Sequence, residues 1–155
     1  MTVILQETDV SIESLADHLD ESGLNTTIKK FDTILLNTRD GYVFSVSLDA
    51  ERKFIRLNAY FPIKKDYGNT LELSNTLNLN VFPGSFCIDD DNDLRIFYAI
   101  TYECSLILRQ FMQIVHRFSG MLDFVVREYN QKEDVFDFKT KDENTTTIVE
   151  ARSIQ

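Results

Sequence analysis

The sequence predicts an α+β domain, with helices packed against a single antiparallel five-stranded sheet in the order α-β-β-β-α-β-β-α. Three observations lead there. Apolar residues alternate with period two across residues 33–61 and again across 85–102. Turn-forming pairs punctuate those runs at short intervals. At both ends of the alternating region the period changes to that of a helix, over residues 11–23 and 105–130.

Each element has a local reason. Ser11 is a suitable N-cap, Ile12, Leu15, Ala16 and Leu19 recur at helical spacing, and Gly23 ends that first helix. Residues 33–38 then give a strand, followed by Tyr42, Phe44, Val46 and Leu48, and by Ile55, Leu57, Ala59 and Phe61. Asp40-Gly41 is a hairpin signal between the first two, residues 49–52 make the next turn, and Pro62 closes the third strand. Residues 67–80, with Leu71, Leu73, Leu77 and Leu79, fit a second helix. Pro83-Gly84, a strand over 85–88, a polar turn over 89–93 and alternation from Leu94 to Tyr102 describe a second hairpin.

The closing helix, expected over residues 105–130, has the most to say about function. At roughly 100° per residue, Ile107, Phe111, Ile114, Phe118, Met121 and Val125 form one stripe, and Leu108, Met112, Val115, Leu122 and Val126 form a second beside it. Together they cover about half the cylinder, more than one packing partner requires. Either the first helix and a tail segment cover the surplus, or it meets another molecule. Gly120 falls on the polar side of this helix, where it costs about 1 kcal/mol relative to Ala and marks either a bend, a close approach by another backbone or an exposed position.

Composition narrows the class of function. The 155 residues are 43% hydrophobic and 12% aromatic, which suits one globular domain. Its formal charge of -9 argues against nucleic acid and anionic membranes, whose binding depends on Lys and Arg. Glu7, Asp9, Glu13, Asp17, Asp20 and Glu21 cluster around the first helix, while Arg109, Arg117 and Arg127 on the last helix are candidates to pair with them. The N-terminus lacks the pattern of a secretory signal and no apolar run is long enough to span a membrane, so a cytoplasmic location is expected. Cys87 and Cys104 are too few and too far apart for a disulfide framework or a zinc site.

No chemistry emerges from the motifs. Asp89, Asp91 and Asp93 open like a calcium loop, but the required glycine and glutamate positions hold Leu94 and Ile100 inside a strand. His18 and His116 have no partner at metal-ligand spacing, and neither a nucleophile elbow nor a phosphate-binding glycine loop is present. No catalytic residue, metal or cofactor is expected. After Gln131 the chain turns polar, giving a domain over residues 1–131 and a tail over 132–155. Val135, Phe136 and Phe138 are candidates for a docking segment at 135–138, with disorder expected beyond Lys141.

The segment 73–118 resembles the YbjN family of small bacterial proteins, described as sensory transduction regulators, whose domain is similar to that of type III secretion chaperones. The residues that carry the likeness are the L-S-N-T-L-N stretch with Asn75 and Asn78, the hairpin F-C-I-D-D-D-N-D-L-R-I and the long last helix. The likeness extends more loosely over residues 11–130. An aromatic residue often lies between the two asparagines in that family, where this chain has Thr76-Leu77. Asn75 and Asn78 are read as structural, turning the end of the second helix. The resemblance implies a type III secretion chaperone-like fold and a homodimer that binds a protein partner.

These readings converge on a non-enzymatic regulatory or chaperone-like domain with a protein client. Its expected contact residues are Phe54 and Tyr60 on the sheet and Leu108, Met112, Val115 and Val126 on the last helix. The alternative is a small-ligand sensor, or an enzyme with a pocket between sheet and helices.

Overall fold

The computed structural model of the protein describes residues 1–29 and 32–138. The disorder expected beyond Lys141 lies outside these residues. Among the described residues, eight strands and three α-helices follow one another: β1 (Ile4–Gln6), α1 (Ile12–Glu21), β2 (Thr27–Lys29), β3 (Thr33–Asn37), β4 (Val43–Asp49), β5 (Phe54–Pro62), α2 (Thr70–Asn80), β6 (Ser85–Ile88), β7 (Asp93–Thr101), β8 (Ser105–Ile107) and α3 (Leu108–Tyr129). The predicted α+β class and the order of its main elements are present. The Ser11 hydroxyl accepts from the Ser14 N–H while the Ser14 hydroxyl accepts from the Ser11 N–H, both at 3.0 Å, a reciprocal cap that fixes the start of α1. Gly23, at φ +85°, ends the helix.

Three strands, β1, β2 and β8, are absent from the sequence reading, so the single five-stranded sheet becomes a six-stranded sheet and a separate two-stranded ribbon. The main sheet has six antiparallel strands, in the order β2-β3-β4-β5-β7-β6, because Thr27–Lys29 pairs onto β3 as an edge strand. Three residues are too few for alternation to announce a strand. The second difference is at Ser105–Ile107, expected as the first turn of the last helix. These residues form β8, paired antiparallel with β1 through Ile4 opposite Ile107 and Gln6 opposite Ser105. Cys104 at φ +74° breaks any helical path into them. The Leu108 N–H then donates to the Val3 carbonyl at 3.1 Å, so the ribbon supplies an acceptor that a side-chain cap would otherwise provide at the start of α3. The start of α2 also falls later than expected, at Thr70.

Register sorts the sheet into two faces. Val46, Leu57 and Tyr98 are cross-strand partners, as are Ala59, Ile96 and Phe86, and Ile55 with Leu48 and Ile100. This is the core face. The other face carries Ser45, Arg56, Asn58, Tyr60, Arg95 and Phe97. The core face takes α3, whose Phe118 ring lies 5.6 Å from that of Phe44. The buried seam of α3 is Phe111, Val115, Phe118, Leu122 and Val125, at alternating spacings of four and three.

After α3 the chain turns back alongside the end of β5. The Asn130 side-chain oxygen accepts from the N–H groups of Val135 and Phe136, and Phe136 bridges Ile63. Val135 and Phe136 are buried, and the rings of Tyr42, Phe61, Phe136 and Phe138 form a cluster with centroids 4.9–5.6 Å apart. The docking segment expected at 135–138 is therefore packed into the core. Among the described residues no helix is long and apolar enough to cross a membrane.

Phe136→Ala should lower unfolding stability by about 3–5 kcal/mol, the usual cost of truncating a buried Phe, as read from urea denaturation. A loss below about 1 kcal/mol would mean that the segment is not part of the cooperative core. A pH effect is expected at the ribbon. Glu7 accepts from the Cys104 N–H at 3.1 Å and lies 3.4 Å from Lys53; the amide and then the lysine hold its carboxyl below the usual range. A depressed acid contributes stability above its unfolded pKa and loses it as pH falls through the folded value. Glu7→Gln should therefore melt lower than the parent at neutral pH, and the gap should close below about pH 4.

Candidate protein-binding surface

The candidate surface begins with the phase of α2. Leu73 and Leu77, four residues apart, are buried together, whereas Leu71 and Leu79 lie on the outer side and are exposed. Asn78 fastens the end of this helix to the hairpin: its Nδ2 donates to the Phe86 carbonyl at 2.8 Å and its Oδ1 accepts from the Phe86 N–H at 2.9 Å. The side chain thus pairs with β6 as a strand neighbour would, which gives the structural role read from the sequence a geometry that it did not foresee. Gly84 lies against the end of the Met121 side chain, which would have to shift to admit a Cβ, 2.9 Å away. Between Asn78 and Gly84 the chain turns outward at Phe82, which is 74% exposed.

Phe82 stands between two hollows on one flank of α3. The first, about 310 Å³, is lined by Phe82, Pro83, Gly120, Met121 and Phe124. The second, about 500 Å³, runs between Phe82, Tyr98 and Ile100 of β7, and Ile107 and Ile114. The second exists because β6 is short. It pairs only with Leu94, Arg95, Ile96 and Phe97 of β7, leaving residues 98–101 with no strand beside them on that side among the described residues. Tyr98 and Ile100 belong to the core face by register, yet they remain half-buried.

The contact residues expected from the sequence divide differently. Val115 is fully buried in the seam of α3 and cannot contact a partner, because the seam is centred between the two expected stripes and draws members from both. Leu108, Met112 and Val126 are half-buried on the flank of α3 away from Phe82, where they pack against the core margin. Phe54 and Tyr60 share the outer face of β5, Phe54 being exposed. Sequence reading missed Leu79, Phe82 and Phe124. The extra leucines of α2 were a signal for the first, whereas Phe82 and Phe124 depend on how the helices rotate against the sheet.

Polar candidates are also placed. Asp89 Oδ1 accepts from the N–H groups of Asp91 and Asp93, both at 3.0 Å, so this carboxylate holds the hairpin turn. His18 lies 3.7 Å from Glu21. Among the described residues, no ion pair links the carboxylates around α1 to Arg109, Arg117 or Arg127, contrary to the pairing expected; Glu7 pairs with Lys53 instead, and Asp9, Glu13, Asp17, Asp20, Glu21 and the three arginines are exposed. Asp20 instead accepts from the N–H and hydroxyl of Thr26. No group of three or more metal-ligating side chains occurs among the described residues. Near α3, burial pushes the Tyr42 hydroxyl up from its usual pKa, with the Asp40 and Asp123 charges adding to the effect.

A search of curated proteins found no match to this sequence. Among solved structures, YbjN from E. coli superimposes with a TM-score of 0.68 at 17% identity, over 83% of this chain and 96% of that one. The ExsC–ExsE complex gives a TM-score of 0.54 at 19% identity, over 78% and 90%. The Yersinia pestis type III secretion chaperone SycH, solved with a fragment of YscM2, gives 0.51 at 13% identity, over 76% and 98%. At such identities the likeness is one of fold. Residues 11–128 match the family YbjN, "Putative bacterial sensory transduction regulator". With a match of that extent, the chain belongs to the YbjN family.

Proposed function

We propose that the chain is a non-enzymatic regulatory or chaperone-like domain, acting in the cytoplasm, that holds a protein partner on the apolar flank of α3. The observation that carries this reading is Phe82, a large aromatic side chain 74% exposed between two hollows whose walls are largely apolar. Exposed Leu79 and Phe124 belong to the same region of α2 and α3. An aromatic anchor among apolar hollows is the arrangement from which interface affinity usually comes. Structures of this fold that hold a protein segment, SycH with its YscM2 fragment and the ExsC–ExsE complex, support the same reading. Burial of the flank would contribute about 25 cal/mol per Å², reduced by the entropy of association. Leu108, Met112 and Val126 on α3, and Phe54 and Tyr60 on the outer sheet face, form two further, less exposed contact regions, and the domain acts as a homodimer.

The partner is tested by affinity capture with the full chain, followed by titration of the captured protein. Phe82→Asp and Phe124→Asp should each weaken binding by at least about 2 kcal/mol, roughly thirtyfold in Kd, with unchanged melting. Equal binding by parent and variants would remove this flank as the site, and loss of binding only in Phe54→Asp or Tyr60→Asp would move it to the outer sheet face. For the dimer, light scattering should give twice the 18.0 kDa chain mass; a monomer at micromolar concentration would refute it.

A further inference from the structure

The polar side of α3 carries a feature that protein binding does not use. Asp123 is 7% exposed, although His116, Gly120 and Arg127 on the same side are open to solvent. The tip of the β3–β4 hairpin covers it: the Asp40 N–H donates to Asp123 Oδ2 at a long 3.3 Å. Oδ1 is buried, and no protein donor reaches it. A buried carboxylate oxygen left in that state is costly, so it marks a place where a donor is wanted. Beside it is a hollow of about 520 Å³, lined by Arg39, Asp40, His116, Gly120, Asp123 and Arg127.

Charges of both signs meet here without satisfying one another. Among the described residues, Arg39, His116 and Arg127 make no ion pair or side-chain hydrogen bond. A simple anion attracted to the arginines would meet two aspartates, and a simple cation attracted to the aspartates would meet two arginines. A ligand with both charges a few ångströms apart satisfies each set. Gly120 adds an independent observation. A Cβ at this position would touch nothing within 4 Å, so nothing in the packing calls for glycine, and glycine weakens a helix relative to alanine. A larger side chain there would, however, stand in the wall of the hollow.

We propose that this hollow binds a small zwitterion of the free α-amino acid class, its ammonium group set against Asp123 and Asp40 and its carboxylate against Arg39 and Arg127. The hollow lies within the size range of small-molecule sites. It also shares Gly120 with the hollow beside Phe82, so an occupant would sit next to the proposed protein-binding flank, while its charged contacts, Arg39, Asp40, Asp123 and Arg127, line this hollow alone.

Calorimetric titration of the full chain with individual α-amino acids up to about 10 mM, with acetate and methylammonium as half-ligands, tests the proposal. At least one amino acid should bind saturably while neither half-ligand does. Asp123→Asn and Arg127→Gln should each weaken binding about tenfold or more. Gly120→Leu should abolish it with melting unchanged or raised, which keeps the test valid if the Asp123 variant fails to fold. No binding by any amino acid overturns the proposal. So does acetate or methylammonium binding as tightly as the best amino acid, or binding that survives both Gly120→Leu and Arg127→Gln.

Discussion

Every other feature of the molecule is set by the seam that α3 lays across the core face of the sheet, where Phe111, Val115, Phe118, Leu122 and Val125 disappear from solvent together. Each such burial is worth about 1.5–3 kcal/mol, so the seam alone rivals the net stability of an ordinary domain before conformational entropy is subtracted. That weight fixes the rotation of the helix, which in turn decides what is left over. One flank presents Ile114 and Phe124 to the side where β6 stops short. The opposite flank rests Leu108, Met112 and Val126 on the core margin, and the polar side turns His116, Gly120 and Arg127 to solvent.

The same rotation explains why the apolar surplus resides on one side. A four-residue β6 cannot accompany a nine-residue β7 along its length, so the core face runs out of sheet neighbours before it runs out of apolar side chains. The β1–β8 ribbon closes part of that end, with Leu106 buried and Ile4 left outside. The far end is closed by covalent continuation: Val135 and Phe136 fold back beside Ile63, and the Phe138 ring packs tilted against Tyr42 and edge-on to Phe61. What remains open is the flank around Phe82.

Much of this was legible in the sequence where periodicity and turn chemistry act locally. The Ser11 cap, the Asp40-Gly41 hairpin, the alternation of β4 and β5 and the amphipathic run of α3 all depend on residues close in sequence. The missed strands have a common cause. β1, β2 and β8 are each three residues long, too short for alternation to show, and β1 and β8 find each other only across most of the chain. Val115 was misplaced for another reason: its two possible sides differ by the rotation of a helix about its axis, which periodicity leaves undetermined. Phe82 lies outside any periodic element, so its exposure depends on the path of a turn that Asn78 fastens to β6.

Charge placement gives the surface its remaining logic. Intramolecular pairing between the acidic residues around α1 and the arginines of α3 would have drawn both sets out of play. Instead, the described ion pairs between lysine or arginine and acidic groups are local to the sheet and the ribbon, joining Lys53 to Glu7 and Arg56 to Asp49. The exposed carboxylates of α1 and the arginines of α3 therefore act on whatever approaches from outside. Exposed charges of this kind contribute little to holding energy in water, but they bias orientation during encounter. A partner seated on the Phe82 flank would approach Arg117, which lines both of its hollows, whereas the acidic cluster stands along α1. In the proposed binding mode, apolar contact at the flank would supply the affinity, and the exposed charges would bias which segment arrives in the right orientation.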